Sequence, residues 1–125
     1  MRKAAFPFLL LAAGCATAPA PYAPVRNVAY QAIGSRNFWV LTIGDDRIVM
    51  HYGGRPDRIW PRTLPRTEGD RRIWQSGDET DGIRIEARPG PCSSENEDLY
   101  ADFVTVHLGV ELDGCGGRLI RRAQR

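Results

Sequence analysis

The richest group of chemistry-bearing side chains in this sequence is acidic. Glu95, Glu97 and Asp98 stand close together, and Asp102 follows soon after. Clustered carboxylates of this kind could bind a cation or a basic partner protein. Ser94 and Glu97 also fit a capping box at the start of a short helical turn, which would explain the same residues as a solvated cap. Because the D-x-[DN]-x-[DN]-G calcium pattern is missing, the cap is the favoured interpretation, and partner binding is the alternative.

The two histidines do not indicate catalysis or metal binding. His51 and His107 lie in predicted strands among apolar neighbours, without a second pair of metal-type ligands at a recognisable spacing. The chain also has no G-x-S-x-G elbow, H-E-x-x-H, P-loop or G-x-G-x-x-G motif. We therefore expect a non-enzymatic protein with no metal and no cofactor.

The N-terminus has the pattern of a secretory signal. Arg2 and Lys3 precede an apolar run over residues 4–13, which ends in small residues. This run is too short to cross a bilayer as a helix. The pattern predicts export of the chain from the cytoplasm.

The end of this segment, Leu11-Ala12-Ala13-Gly14-Cys15, resembles the lipobox of bacterial lipoproteins. The resemblance implies that residues 1–14 are a signal peptide and that the Cys15 thiol carries diacylglycerol. The alternative is an ordinary signal cut nearby, with Cys15 discarded or left free. Several acyl chains on one residue suffice for stable anchoring, so we expect attachment to a membrane through the N-terminal lipid. By resemblance to Gram-negative lipoproteins, Ala16 after the cysteine implies the periplasmic face of the outer membrane.

Residues 15–26 are predicted to be the lipidated cysteine followed by a tether. Pro19, Pro21 and Pro24 favour an extended polyproline conformation over a packed element. At about 3 Å per residue, the tether could hold the following domain ~30 Å from the membrane surface. Residues 27–125 are then left to form a single β domain.

Cysteine parity agrees with export. If one of the three cysteines carries lipid, Cys92 and Cys115 remain as a pair. Between them, two apolar runs predict strands around a turn centred near Leu108 and Gly109, which would bring Cys115 opposite residues near Asp102. We expect one structural disulfide. A redox-active or metal-binding pair is the weaker alternative, because no C-x-x-C motif is present.

Composition and turn spacing predict an all-β fold. The 125 residues include 13 Gly and 9 Pro, and no stretch free of them beyond the N-terminus has sustained helical periodicity. Residues 38–43, apolar on both faces, and residues 47–52 predict a hairpin. An Asp shortly before an Ile recurs at spacings of 11, 13 and 11, which is typical of turn-then-strand units. We expect a small antiparallel barrel or sandwich with one disulfide.

Residues 83–88 alternate apolar and charged side chains, and form the clearest amphipathic strand in the sequence. The three apolar side chains should face the core and the three charged ones should face outward. Trp39, Trp60 and Trp74 lie in or beside predicted strands. We expect them to fill a small core, with a ligand-stacking platform as the weaker alternative.

The charge balance argues against a nucleic-acid partner. The chain has 17 basic and 15 acidic residues, and loss of Arg2 and Lys3 with the signal peptide would leave 15 of each sign. A domain with no excess of positive charge lacks the electrostatic footprint of nucleic-acid-binding proteins.

Four local patterns recur together in one group of bacterial proteins. They are a Gly before an aromatic-Trp strand, a Pro-Gly-Pro-Cys-Ser segment, a Tyr before a Val-Thr-Val strand, and a Gly-Cys close. On these patterns the chain resembles, over about residues 31–118, a family of uncharacterised periplasmic lipoproteins often labelled predicted membrane proteins. The resemblance implies a small β domain that is located in the cell envelope. The patterns stand here as Gly34 with Phe38-Trp39, Pro89-Gly90-Pro91-Cys92-Ser93, Tyr100 with Val104-Thr105-Val106, and Gly114-Cys115.

The expected function is a non-enzymatic structural or binding role in the cell envelope, performed from the periplasmic face of the outer membrane with a protein partner. An alternative of a different class is an inhibitor of a lysozyme-type wall hydrolase. In that case the acidic, disulfide-tied loop with Glu95, Glu97 and Asp98 would enter the cleft of a basic enzyme.

Overall fold

Within residues 25–34 and 38–124, which the computed structural model describes, the chain forms one antiparallel sheet of nine strands and no helix. The all-β prediction is therefore confirmed. The strands are β1 (Tyr30–Gly34), β2 (Trp39–Ile43), β3 (Arg47–Tyr52), β4 (Arg58–Pro61), β5 (Arg66–Glu68), β6 (Arg71–Ser76), β7 (Ile83–Ser93), β8 (Leu99–His107) and β9 (Glu111–Arg121).

The strands lie in the order β4-β3-β2-β1-β9-β8-β7-β6-β5. Neighbours in the sheet are thus neighbours in the chain, except where β9 returns to pair with β1. The sheet curls into a half-barrel instead of dividing into the two layers of a sandwich. Side-chain contacts link β4 to the far half of the sheet: Trp60 Nε1 donates to the Asp81 carbonyl at 2.7 Å, and Ser76 Oγ donates to the Pro61 carbonyl at 2.7 Å.

Both predicted hairpins are present. The β2–β3 hairpin turns at Gly44, as expected from the residues that follow the first apolar run. In the β8–β9 hairpin, Leu108 N donates to the Val110 carbonyl at 2.8 Å, and Cys115 pairs with Phe103 beside the predicted position. Each Asp of the recurring Asp-Ile pattern precedes a strand. Asp46, Asp57 and Asp70 stand directly before β3, β4 and β6, and one residue separates Asp81 from β7.

Side chains on the inner face of the curled sheet form the core. Trp39 and Trp74 are 2% exposed and Trp60 is 6% exposed, which confirms that the tryptophans belong to the core. Removing apolar surface of this size from water is the main stabilising term for a small domain. The remaining core residues alternate along their strands, as the two-residue repeat of a strand requires. They are Tyr30, Ala32, Leu41, Ile43, Ile48, Met50, Ile83, Ile85, Ala87, Val104, Val106 and Leu112.

The predicted amphipathic strand lies at the start of β7 with its apolar side chains buried. Glu86 is on the outward face, as predicted, but is only 9% exposed. Arg71 and Arg84 reach its carboxylate at 2.9 and 2.7 Å, and His107 Nε2 lies 3.3 Å away. A carboxylate withdrawn from water needs such partners to replace its hydration. This part of the outer face is therefore an ion-pair cluster.

Candidate functional site

A row of outward-facing residues crosses five neighbouring strands close to the disulfide. In register, the row runs from Phe103 on β8 through Cys115 on β9 and Ile33 on β1 to Val40 on β2 and His51 on β3. All five residues line one pocket of about 440 Å³. Because directly opposed side chains in an antiparallel pair touch each other, the row forms a continuous and mostly apolar floor.

Two glycines bring this floor close to the core. Gly34 and Gly114 pair across β1 and β9, and both line the pocket. A Cβ atom at Gly34 would lie 1.8 Å from Nε1 of Trp39, and one at Gly114 would lie 2.1 Å from the carbonyl oxygen of Ile33. Neither position can hold a side chain without a shift of its neighbours. Because Gly34 and Gly114 have no side chains, Trp39 reaches the pocket from the core side.

The far end of the β7–β8 hairpin forms a wall over the floor. β8 lies between β7 and β9, and strands two apart in a flat sheet are about 10 Å from each other. The Cα atoms of Cys92 and Cys115 are nevertheless 5.5 Å apart, and the two residues form the predicted disulfide. The hairpin end therefore bends towards β9, where the β7–β8 register shifts between Pro89 and Cys92. The bend places residues 93–96 along the pocket.

The loop between β7 and β8 is a tight turn, so the predicted capping box on a helical turn is wrong. Ser94 N donates to the Asp98 carbonyl at 2.9 Å, and Glu97 N donates to the Ser94 carbonyl at 2.9 Å. Glu97 has a φ of 70°, which lies in the left-handed region and prevents a helix from continuing. The Ser94 hydroxyl donates to the same Asp98 carbonyl at 3.1 Å. The loop is thus closed by its own main chain.

The three acidic residues predicted to bind a partner do not form one surface. Glu95 is exposed and lines the pocket, whereas Glu97 is exposed but is not part of the lining. Asp98 is only 8% exposed, and its carboxylate accepts a hydrogen bond from Ala123 N at 2.7 Å. Asp98 therefore holds the C-terminal segment against the loop, and only Glu95 and Glu97 face an outside partner.

Phe38 lines the pocket outside the row, beside the start of β2. The predicted strand begins one residue later than expected, at Trp39, and Phe38 has a φ of 54°. A residue other than glycine in this left-handed region costs about 1–2 kcal/mol. The Phe38 side chain is 79% exposed, and its carbonyl accepts a hydrogen bond from Gly53 N at 3.2 Å. Burial of the Phe38 ring therefore does not offset the cost of this backbone conformation.

The rim of the pocket is acidic. Glu95 and Asp113 line it, and none of the lining residues in the described part of the chain is Lys or Arg. Asp113 accepts a hydrogen bond from the Thr105 hydroxyl at 3.1 Å. At one end of the floor, His51 Nδ1 lies 2.7 Å from Oδ1 of Asp57. The arrangement offers an apolar cavity with carboxylates at its mouth, which is suited to binding.

A second polar cluster forms where side chains of β1, β6 and β8 meet. Tyr30 Oη donates to Asp102 Oδ2 at 2.7 Å, and an Arg72 nitrogen lies 3.4 Å from the same oxygen. The Arg72 guanidinium also lies over the rings of Tyr30 and Trp74, 5.0 and 5.3 Å from their centroids. Burial, together with the hydrogen bond to Asp102, raises the pKa of the Tyr30 hydroxyl well above its ordinary value. Asp102 therefore has a structural position and does not line the pocket.

The predicted lipidation site, Cys15, and the signal and tether around it lie outside the described residues, apart from Val25 and Arg26 at the end of the tether. Across the described ranges, no helix is long and apolar enough to span a bilayer. The same residues contain no group of three or more His, Cys, Asp or Glu side chains placed to hold a metal ion. No protein-family model, curated protein or solved structure matches the chain.

Sequence reasoning misses most of the pocket. Ile33, Val40 and Phe103 are apolar residues within strands, and their spacing does not separate them from core residues. One usable signal is the run over residues 38–43, which is apolar on both faces. In a strand, that pattern puts Val40 on the face opposite Trp39. An apolar residue there must contact a second layer, a ligand or water.

Proposed function

We propose that this protein is a lipoprotein anchored to the periplasmic face of the outer membrane, with a non-enzymatic binding role in the cell envelope. The lipobox ending at Cys15 supports the anchor. The pocket beside the Cys92–Cys115 disulfide is the observation that supports a binding role, because it combines an apolar floor with charged groups at its rim. Binding sites for small molecules and peptides commonly have this composition.

Folding alone does not account for the pocket. The inner face of the sheet already supplies a continuous core, and the pocket floor lies on the other face. Phe38 and Val40 add apolar surface there without entering that core. Uncovered apolar patches with a polar rim are typical of interaction sites.

The anchor is tested by metabolic labelling with radioactive palmitate in a Gram-negative host. Wild-type protein should incorporate label and fractionate with the outer membrane, because the acylated Cys15 holds it there. Cys15→Ala should incorporate none and accumulate as an unprocessed precursor. The double variant Cys92→Ser/Cys115→Ser is the matched control, since it removes the other two cysteines and should keep the label. Labelling of Cys15→Ala, or none in wild type, would contradict the anchor.

The binding role is tested by photocrosslinking in intact cells. A benzoylphenylalanine residue at Phe38 should give discrete adducts, because Phe38 lines the pocket and is 79% exposed. The control places the same residue at Leu64, which is 82% exposed but lies outside the pocket lining. Val40→Asp in the floor should abolish the adducts at position 38. Equal adducts at both positions, or none at position 38, would count against the pocket as a binding site.

A second candidate function, inhibition of a lysozyme-type wall hydrolase, is favoured by the exposure of Glu95 and Glu97 on a disulfide-tied loop. Lysozyme activity would be measured as residual wall lysis at low and at physiological salt. Glu95→Lys/Glu97→Lys should lose inhibition, because exposed charges steer association over about 10 Å. Asp70→Lys/Glu79→Lys, at exposed sites outside the pocket, should retain it. If wild type does not inhibit lysis, the inhibitor function is excluded.

A further inference from the structure

We propose that the pocket binds a small organic cation with an apolar body. This inference rests on the proposed function, because it assumes that the pocket is a binding site. It adds the chemical class of the ligand. The observation that supports this ligand class is the combination of an apolar floor with the carboxylates of Glu95 and Asp113 at the mouth.

The floor determines the apolar part of the ligand. Phe103, Ile33 and Val40 stand in register on three strands with the disulfide between them, and Phe38 adds an exposed ring at one side. These groups offer dispersion contacts and release of surface water, but few hydrogen bonds. An aliphatic or aromatic body therefore fits the floor better than a sugar or a nucleotide.

The rim determines the charge of the ligand. Glu95 and Asp113 are both exposed acidic groups of the lining, and no described lining residue is Lys or Arg. The contrast matters because the chain is rich in arginine elsewhere on its strands. Arg88, which pairs with Phe103 at the end of the row, lies 5.4 Å from that ring's centroid. Among the described lining residues, the carboxylates of Glu95 and Asp113 are the acidic groups that a ligand would meet at the mouth.

The dimensions favour a small molecule over a flat protein surface. The cavity of about 440 Å³ lies within the range of small-molecule sites. It has a floor that crosses β8, β9, β1, β2 and β3, one wall at residues 93–96 and Phe38 beside the start of β2. A concave site with walls can enclose a compact body while its charged group remains at the mouth.

The test compares three probes that share a hexyl chain: hexyltrimethylammonium, 1-hexanol and hexyl sulfate. The acylated full-length protein, labelled with ¹⁵N, is held in lipid nanodiscs, and binding is followed at the amides of the lining glycines Gly34 and Gly114. The cation should bind about ten-fold tighter than the alcohol, and the sulfate weakest, because two carboxylates stand at the rim. Empty nanodiscs measure partitioning of each probe into lipid.

Two double variants separate the contribution of the rim from that of the floor. Glu95→Gln/Asp113→Asn should bring the affinity for hexyltrimethylammonium close to that for 1-hexanol. Asp70→Asn/Glu79→Gln removes two exposed carboxylates outside the lining and should leave the order of the probes unchanged.

The outcomes distinguish this inference from the proposed function. Equal binding of all three probes, lost in Val40→Asp, would overturn the charge selectivity and leave the pocket as a binding site. No shift at Gly34 and Gly114 with any probe would overturn the pocket itself. A short peptide that contains lysine and leucine is titrated as a fourth probe. Shifts at Gly34 and Gly114 with this peptide alone would assign the pocket to a protein partner and overturn the small ligand.

Discussion

The two faces of the curled sheet differ in the side chains that the same strands place on them. On the inner face, side chains such as Leu41, Ile43 and Ile85 are fully buried and form one continuous core. On the outer face of β7, Glu86 instead pairs with Arg71 and Arg84. The inner face therefore stabilises the fold through burial, and most of the outer face meets water through charged groups.

One stretch of the outer face does not follow this division. The row from Phe103 to Val40 is apolar, and the neighbouring Phe38 is 79% exposed although the next residue, Trp39, is 2% exposed. Trp39 is explained by the core. Core packing does not explain Phe38. The contrast between these adjacent aromatic residues therefore sets the pocket apart from the core.

The sharpest test of this contrast is the pair Trp39→Ala and Phe38→Ala. Removing Trp39 should lower the free energy of unfolding by about 3–5 kcal/mol, the cost of emptying a core site of this size. Removing Phe38 should change it by less than about 0.5 kcal/mol, as for other exposed positions. Urea denaturation followed by circular dichroism measures both, without relying on tryptophan fluorescence. A large loss in Phe38→Ala would show that the exposed ring is part of the packing.

The sequence predicts the inner face better than the outer one. Period-two alternation identifies residues 83–88 as a strand, because a single buried face imposes that pattern. The size of the tryptophans and their position in or beside predicted strands identify them as core residues. Curling of one sheet, as opposed to packing of two, depends on which distant strands pair. The β1–β9 pairing that settles it has no local signal in the sequence.

The candidate site is predictable only in part, for a similar reason. The even number of cysteines left after lipidation, and the hairpin between Cys92 and Cys115, suffice to predict the bond between these two residues. The acidic residues behave differently from one another because their surroundings come from elsewhere in the chain. Asp98 is buried and accepts a hydrogen bond from Ala123 N, while the bend in the hairpin places Glu95 along the pocket. Neither contact could be derived from spacing along the loop.

The disulfide offers the next largest effect, because it ties the wall of the pocket to β9. The double variant Cys92→Ser/Cys115→Ser should lose about 3 kcal/mol of unfolding free energy, because the bond closes 23 residues of chain. It should also weaken binding in the pocket, since the wall at residues 93–96 is no longer tied to β9. Reduced wild type should match the variant in both measurements. A variant that keeps full stability would show that the bent hairpin is held by other contacts.

The Tyr30 cluster predicts a smaller effect that depends on pH. The pKa of Tyr30 is raised in the folded state from an ordinary value of 10.0, so its contribution to stability is fully present below that pH and is lost as the pH rises above it. Tyr30→Phe removes the hydrogen bond to Asp102 and should cost about 1 kcal/mol at neutral pH. It should also flatten the fall in stability above about pH 10. An unchanged alkaline slope in Tyr30→Phe would assign that fall to other groups.

The smallest effect separates the backbone of Phe38 from its ring. Phe38→Gly should be about 0.5 kcal/mol more stable than Phe38→Ala, because relief of the left-handed strain exceeds the entropy that glycine loses on folding. Both variants lack the ring, so both should lose pocket binding to the same extent. Chemical denaturation and titration with hexyltrimethylammonium measure the two quantities on the same samples. A variant that gains stability while it loses binding would show that the strain at Phe38 is kept for the ligand. A glycine variant that is less stable than the alanine variant by about 0.5–1 kcal/mol, the entropy cost of glycine alone, would mean that the backbone at this position carries no strain.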